Sequence, residues 1–350
     1  MPRVAIITDQ HFGARNDSIQ CLNYYEKFYQ NVFFPTLKQN NIDTVLILGD
    51  TFDRRKYTNH VTLYRAKKMF FNVLRDEGIQ VIMIAGNHDT AYKNTNEVNS
   101  PELMLLEYEN ITVLENPKTL NVKGTDICFL PWICADNYTD SINEIKNTKA
   151  EVCMGHLEIS GFLMYRGAES HEGMSKETFS KFSMVFSGHY HHKSDDGHVY
   201  YLGNPYELTW QDYNDPRGFH LFDLDNYKLE FIQNPYSLFH RVEYDDTREM
   251  PDTTSEMADK YVKIVVVNKT DYYRYDQYLS KVYNSNPIEV KIVEDFSEYT
   301  EGKVDETINL EDTSSVMNNY VDSLDVEVDK DKVKTFMKTL YLEAINREVV

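Results

Sequence analysis

Ile79-Gln80-Val81-Ile82-Met83-Ile84-Ala85-Gly86-Asn87-His88-Asp89 is an apolar, β-branched run that breaks into glycine, amide, imidazole and carboxylate. Such a run reads as a buried strand, with the polar tetrad Gly86 to Asp89 at its carboxyl end. Two similar units precede it. Val4 to Thr8 leads into Asp9-Gln10-His11, and Asp43 to Leu48 into Gly49-Asp50-Thr51-Phe52-Asp53. Between these strands lie two amphipathic segments. Ser18 to Gln39 reads as a helix capped by Asp17 or Ser18, with Pro35 as a late break, and Asn59 to Glu77 as a helix closed by Gly78. This βαβαβ order demands parallel strands joined by right-handed crossovers. Sheets of that kind bind ligands outside the carboxyl ends of their strands.

Beyond Asp89 a helical stretch is expected over Ser100 to Tyr108. Short strands follow at Ile111 to Leu114, Thr119 to Val122 and Ile127 to Leu130, as a second sheet or an antiparallel edge. Glu151 to Met154 and Ser183 to Phe186 read as buried strands, running into Gly155-His156 and Gly188-His189-Tyr190-His191. Val199 to Leu202, Phe219 to Asp223 and Lys228 to Ile232 alternate like a closing meander. A turn-rich, charged stretch over 235–260 then marks a boundary. The expected layout is a main domain at 1–240, a small α/β accessory domain at 241–293, an acidic linker at 294–315 and a C-terminal helical segment at 316–350. The accessory domain should be strand, helix and strand (Tyr261 to Val267, Tyr275 to Tyr283, Ile288 to Val293). In the last helix Val333, Phe336, Met337, Leu340 and Tyr341 form an apolar stripe at three- and four-residue spacing.

The 350 residues are 41% hydrophobic and 13% aromatic, enough for a real core and against global disorder. No apolar run reaches the length of a membrane span, and Met1-Pro2-Arg3 enters a strand directly, without signal-peptide anatomy. The expectation is a cytoplasmic protein with no membrane partner. Cys21, Cys128, Cys134 and Cys153 lack Cys-x-x-Cys spacing and read as reduced, buried thiols. Net charge is −20, which weighs against DNA binding unless the charge is localised. Residues 294–331 hold 13 acidic side chains against two lysines, and the first 240 hold 31 acidic against 22 basic. Bound cations would offset part of the latter.

Five polar clusters therefore punctuate the first 191 residues, each at the end of an expected strand. The i, i+2 spacing of Asp9 with His11 and of His189 with His191 puts both side chains of each pair on one face of an extended segment. Glycine before a ligand allows a tight turn and leaves room for metal or phosphate. Carboxylate, imidazole and amide donors without thiolate suit manganese, iron, zinc or magnesium. One Gly-His would be structural. Five clusters at successive strand ends point to a metal site.

The order Asp-x-His, Gly-Asp-x-x-Asp, Gly-Asn-His-Asp, Gly-His, Gly-His-x-His resembles the calcineurin-like metallophosphoesterases. Within them the chain is similar to the SbcD-type double-strand-break repair nucleases, and to the small subunit of T4-type phage recombination endonucleases. Leu130-Pro131-Trp132, Gly155-His156-Leu157-Glu158, Gly203-Asn204-Pro205-Tyr206 and Asn214-Asp215-Pro216-Arg217-Gly218-Phe219 carry this narrower likeness. It covers residues 1 to about 235. It implies an α/β fold, a metallophosphoesterase β-sandwich flanked by helices with a small accessory (capping) domain and C-terminal helices.

The resemblance also implies two divalent metal ions, manganese first, with magnesium another choice. One would be held by Asp9, His11, Asp50 and His191, the other by Asp50, Asn87, His156 and His189, with Asp50 bridging. His88 would face the scissile phosphate and act on the leaving oxygen. Asp53 and Asp89 would orient His88 and its neighbours, or cap strand ends. Arg54-Arg55-Lys56 departs from the family in being more basic; it would contact a DNA backbone or form a solvated turn. His192 is an extra imidazole, taken as a non-ligand.

The implied activity is nuclease action on duplex DNA ends and on single strands, in a homodimer paired through segments 60–75 and 92–108. The implied partner is an SMC-like coiled-coil ATPase docking the C-terminal helices, in the cytoplasm of a phage-infected host. The alternatives are another metallophosphoesterase, such as a protein phosphatase or small phosphodiester hydrolase, and a non-catalytic scaffold. Protein phosphatases typically read Gly-Asp-x-Val-Asp-Arg-Gly and Gly-Asn-His-Glu, whereas Phe52, Arg55 and Asp89 stand here. A scaffold would have lost ligands, and none is missing.

Overall fold

The computed structural model describes residues 2–165, 168–171, 173–250 and 252–294, with single positions beyond 320. In chain order the strands are β1 (Arg3–Ile7), β2 (Thr44–Leu48), β3 (Gln80–Ile84), β4 (Ile111–Leu114), β5 (Lys118–Val122), β6 (Thr125–Leu130), β7 (Val152–Gly155), β8 (Leu163–Tyr165), β9 (Ala168–Glu169), β10 (Met184–Ser187), β11 (Ser194–Asp195), β12 (Val199–Tyr201), β13 (Gly218–Asp223), β14 (Leu229–Gln233), β15 (Phe239–Asp245), β16 (Tyr261–Asn268) and β17 (Glu289–Glu294). Two six-stranded sheets dominate, in the orders β14-β13-β1-β2-β3-β4 and β11-β12-β10-β7-β6-β5.

β1 to β4 are mutually parallel, as the βαβαβ pattern requires. Strand alternation then sorts their side chains into two layers. Val4, Ile6, Leu46, Leu48 and Ile84 meet Phe129, Met154 and Phe186 of the second sheet. Ala5, Ile7, Val45, Ile47, Val81 and Met83 share a second core with Phe28, Phe33, Phe70 and Leu74. Cys128, Cys153 and Val185 on the outer face of the second sheet pack with Ile145 and Phe179. Each buried aliphatic or aromatic side chain contributes about 1.5–3 kcal/mol.

The first helix, α1, runs continuously through Ile19–Phe28, Tyr29–Phe33 and Phe34–Gln39, with Ser18 as its cap. Pro35 does not end it. A π turn over Tyr29–Phe33, in which the Phe34 amide bonds back to the Tyr29 carbonyl five residues earlier, immediately precedes the proline, and the helix continues through it. The second helix, α2 (His60–Ala66, Lys67–Phe71, Asn72–Asp76), carries its own π turn at Lys67–Phe71. The two π turns face each other, with the Tyr29 and Phe70 rings 4.7 Å apart.

Three further expectations change. The helix at Ser100, α3 (Ser100–Met104), stops before Tyr108. Leu105 leaves helical geometry at φ −120, and Tyr108 turns inward to lie 6.0 Å from Phe71 and donate to Asn72 Oδ1 at 2.7 Å. The expected closing meander is divided. β12 lies parallel to β10 in the second sheet, whereas β13 and β14 form an antiparallel hairpin beside β1 in the first. Finally, β15 occupies part of the stretch read as turn-rich; its Arg241 and Glu243 alternate with Val242 and Tyr244 and face outward.

Two further α-helices are α4 (Tyr138–Asn147) and α5 (Tyr272–Asn284). β15, β16 and β17 form a three-stranded sheet whose core is Tyr244, Met257, Ile264, Tyr275 and Val282. Leu238, Phe239 and Tyr261 reach from it into the core beneath α1 and α2. Residues 1–292 form one compact unit and 293–350 a second. In the latter Val321, Lys330, Lys332 to Lys334 and Met337 are helical. The linker beyond Glu294 and Phe336, Leu340 and Tyr341 of the stripe lie outside the described residues. The four cysteines are buried and free, and among the described residues no helix is long and apolar enough to cross a membrane.

Candidate metal centre

The parallel strands β1, β2, β3, β7 and β10 all end at one edge of the sandwich, so the five clusters converge there. Asp9, His11 and His191 come within reach of a common centre, as do Asp50, His156 and His189. Asn87 joins the second group: its Oδ1 lies 3.0 Å from His156 Nε2 and 2.9 Å from His189 Nδ1. Asp50 stands between the groups, with Oδ2 at 3.6 Å from His11 Nε2 and 3.4 Å from His156 Nε2. His11 and His191 bring their Nε2 atoms to 3.1 Å.

Convergence does not come from extended backbone, as the two-residue spacing had implied. Asp9, His11, Asp50 and His189 all have left-handed φ, at 51, 44, 51 and 84 degrees. Such conformations cost about 1–3 kcal/mol each outside glycine and persist only where their surroundings over-determine them. Here they do. The Asp9 carboxylate accepts from the Thr8 hydroxyl at 2.7 Å and the His189 amide at 3.1 Å. Asp50 Oδ1 accepts from the His88 amide at 2.8 Å. Gln10, facing the other way, donates to Tyr29 at 2.6 Å, while its carbonyl accepts from Tyr206 at 2.7 Å. The glycines leave room for this crowding. A side chain at Gly86 would run into Asp50, and one at Gly188 into Thr8 and the Leu48 carbonyl.

Buried charges compensate one another. Burial opposes a charged His11, yet its interaction with Asp53 and the charges of Asp50, Asp53 and Asp9 outweigh it and push the imidazole up to about 9. Burial likewise opposes a charged His156, and Asp50 outweighs it to the same level. Burial would raise Asp50, but His156 and His11 hold it well below the carboxylate range. Burial and the charge of His156 push His189 down to about 3, and burial and His11 lower His191. His156 gives Nδ1–H to the Leu48 carbonyl at 2.8 Å, which aims Nε2 at Asp50 and Asn87. Inward-facing carboxylate, amide and imidazole atoms thus crowd one another, from 2.9 Å between Asn87 and His189 to 3.6 Å between Asp50 and His11. That donor set, free of thiolate, fits divalent cations.

His88 stands at the edge, its ring 4.9 Å from His11, with Nδ1–H donated to the Asp53 carbonyl at 2.7 Å. Asp53 Oδ1 lies 3.2 Å from His11 Nδ1, within ion-pair range though not aligned for a hydrogen bond. Asp89 lies beneath and accepts from the backbone N–H groups of Thr51 (3.2 Å), Phe52 (3.0 Å) and Gly86 (2.9 Å). It joins the Asp50 loop to the Asn87 loop. Burial and the nearby Asp50 charge, opposed by those three N–H groups, push its carboxyl up to about 6.

Arg54 is folded back on Asp17 (3.0 Å), Asn16 (2.5 Å) and Tyr57 (2.8 Å). Arg55 reaches Thr90 at 3.4 Å, and Lys56 is exposed. His192 turns away to Asp215 at 2.7 Å. His11, Asp53 and His88 form a third cluster of potential ligands, and among the described residues His60, His198, His220 and His240 belong to none of the three.

Sequence reasoning noted Arg217 only as part of a likeness and missed its contacts. Buried, it bonds the His191 carbonyl and Asn204 and pairs with Asp215 at 2.6 Å and Asp212 at 3.1 Å, clamping the loop that carries His191. Trp132 walls the second group, its ring 5.2 Å from His189. An arginine amid aspartates was the legible signal for the first; nothing in the sequence pointed from Trp132 to His189.

Asp89→Ala would strand three buried N–H groups, each costing about 1–3 kcal/mol. The expected result is a large fall in thermal unfolding midpoint with retained secondary structure by circular dichroism; an unchanged midpoint would remove Asp89 from this role.

The calcineurin-like phosphoesterase family model matches residues 2–193. The chain is 31% identical over 310 residues to exonuclease subunit 1 of Enterobacteria phage T4, covering 88% of this chain and 89% of that one. It is 25% identical over 192 residues to the DNA double-strand break repair protein Mre11 of Sulfurisphaera tokodaii, covering 53% and 48%. Identity to a subunit of the nuclease SbcCD of Escherichia coli is 22% over 287 residues, covering 66% and 67%. With five strand ends delivering their polar clusters to one edge of a double sheet, this chain belongs to the calcineurin-like phosphoesterase family.

Proposed function

We propose that the protein is the nuclease subunit of a DNA recombination and repair complex, an exo- and endodeoxyribonuclease that hydrolyses phosphodiester bonds by a two-metal mechanism. One observation carries this reading: a single buried carboxylate, Asp50, stands between two sets of imidazole and oxygen donors. Asp9, His11, Asp50 and His191 would hold one cation, and Asp50, Asn87, His156 and His189 the other, manganese by preference. When bound, such a pair supplies Lewis acidity toward the phosphate and an acidified water at neutral pH.

The chain's own residues do the rest. His88 has committed Nδ1 to the Asp53 carbonyl, so its exchangeable proton is at Nε2, where the imidazolium can protonate a leaving oxygen. Asp53 keeps the His88 ring oriented through that carbonyl and stands beside His11 through its carboxylate. Asp89 fixes the spacing of the Asp50 and Asn87 loops. Arg55 and Lys56 border this edge and would meet a DNA backbone; Arg54, tied to Asp17, would contribute by shaping the loop.

Names of the relatives support the assembly. One is an exonuclease subunit, another a subunit of the nuclease SbcCD. The partner would be an SMC-like coiled-coil ATPase docking the stripe Val333, Phe336, Met337, Leu340 and Tyr341, in the cytoplasm of an infected bacterial host. A homodimer is supported by apolar side chains exposed on the segments expected to pair: Val61 and Tyr64 on α2, and Leu103 and Leu106 near α3.

His88→Ala should keep manganese binding by calorimetry yet lose about 10²- to 10⁴-fold in cleavage of linear duplex DNA. Loss of the metal instead would reassign His88 as a ligand, and a wild-type protein inactive with manganese and its ATPase would sink the nuclease reading. Truncation after residue 312 is expected to spare basal cleavage and abolish co-purification of the ATPase; continued co-purification would move the docking site elsewhere. Tyr64→Asp combined with Leu106→Asp should convert a dimer to a monomer in light scattering, and a monomeric wild type would refute the pairing.

A further inference from the structure

Between His11 and α1 the chain makes an unusual turn. Arg15, Asn16 and Asp17 are three consecutive non-glycine residues in the left-handed region, at φ 53, 58 and 59 degrees. L-residues visit that region singly, because Cβ crowds the following carbonyl. Three in a row persist only if the side chains are held from outside. Asn16 accepts from Arg54 Nη2 at 2.5 Å, and Asp17 accepts from the Thr62 hydroxyl at 2.7 Å and pairs with Arg54 at 3.0 Å. Those contacts tie the turn to the second metal-site loop and to α2.

The remaining anchor comes from the accessory sheet. The Arg15 guanidinium lies over the Tyr261 ring at 4.3 Å from its centroid and over Phe239 at 5.4 Å. Tyr261 opens β16 and Phe239 opens β15; they are paired in register, with ring centroids 5.7 Å apart. The Tyr261 hydroxyl also lies 3.2 Å from Ser18 Oγ, the cap of α1. Four residues before Arg15 stands His11, itself left-handed, and the Ala14 amide bonds back to the His11 carbonyl at 3.0 Å. The accessory sheet thereby contacts the turn that follows His11.

We infer that Arg15 is a positioning residue: its cation, laid on the Tyr261–Phe239 pair, couples the accessory sheet to the His11 loop and holds the first donor group in register. This rests on the two-metal reading of the site. Arg15 itself is exposed and belongs to none of the donor groups, so its removal deletes neither a core side chain nor a donor atom. Guanidinium over an aromatic face is favourable, and more so where the rings are buried, as Tyr261 and Phe239 are.

The test is a double-mutant cycle on the full chain with Arg15→Gln and Tyr261→Leu, adding Arg15→Lys, which keeps a cation over the rings. Manganese affinity by calorimetry is read alongside kcat and KM on linear duplex DNA, and circular dichroism confirms folding. Arg15→Gln is expected to weaken manganese binding about tenfold and lower kcat with little change in KM. Arg15→Lys should recover most of the loss, and the double variant should be no worse than Arg15→Gln alone. Unchanged metal affinity in folded Arg15→Gln, or strictly additive single effects, would overturn the coupling while leaving the nuclease reading intact. If the wild type binds manganese but cleaves no DNA, the nuclease reading fails instead, and the cycle in metal affinity still decides the role of Arg15.

Discussion

A buried carboxylate must be compensated, and the architecture of this protein follows from the need to compensate several at once. Asp9 and Asp50 are almost wholly withdrawn from solvent at the edge of a double sheet. Left alone, each would carry a desolvation penalty of several kcal/mol. The imidazoles of His11 and His156, the amides of His88 and His189 and the hydroxyl of Thr8 supply the opposing charge and hydrogen bonds. These groups are contributed by strands of both sheets, so neither sheet alone can make the site.

Bringing them together strains the backbone. Ligand candidates at the ends of β1, β2 and β10 adopt left-handed φ, and at β2 and β10 the preceding residues, Gly49 and Gly188, are glycines where a Cβ would collide with a neighbour. The restraining contacts reach outward in shells: Asp89 under the Asp50 and Asn87 loops, Arg217 behind His191, Tyr206 and Tyr29 around Gln10. Strain concentrated at a site and opposed by rigid surroundings is the usual signature of preorganisation.

Much of this was legible in the sequence. The parallel order of β1 to β3 followed from alternating apolar runs and amphipathic segments, and the site's location followed from that order. The polar clusters could be named because each interrupts a strand-like run with residues that strands disfavour. What stayed hidden depends on tertiary competition. Tyr108 ends α3 early because burying its ring outweighs one more helical turn. In sequence Val199 to Leu202 groups with the strands of the other sheet, since alternation gives a strand but not its neighbour. β15 was lost among charges that face outward, and although Arg217 stands near Asp212 and Asp215 in sequence, its burial and its bond to the His191 carbonyl arise only in the fold.

The bond between the His189 amide and the Asp9 carboxylate spans 180 residues of chain. His11 and His191 meet across the same separation. Contacts so distant in sequence carry a large loop-closure entropy and form only after the intervening elements have condensed. The site is therefore a checkpoint on folding as well as a place for chemistry. No fragment lacking either sheet can assemble it, and any ligand that prefers the assembled site stabilises both sheets together through mass action.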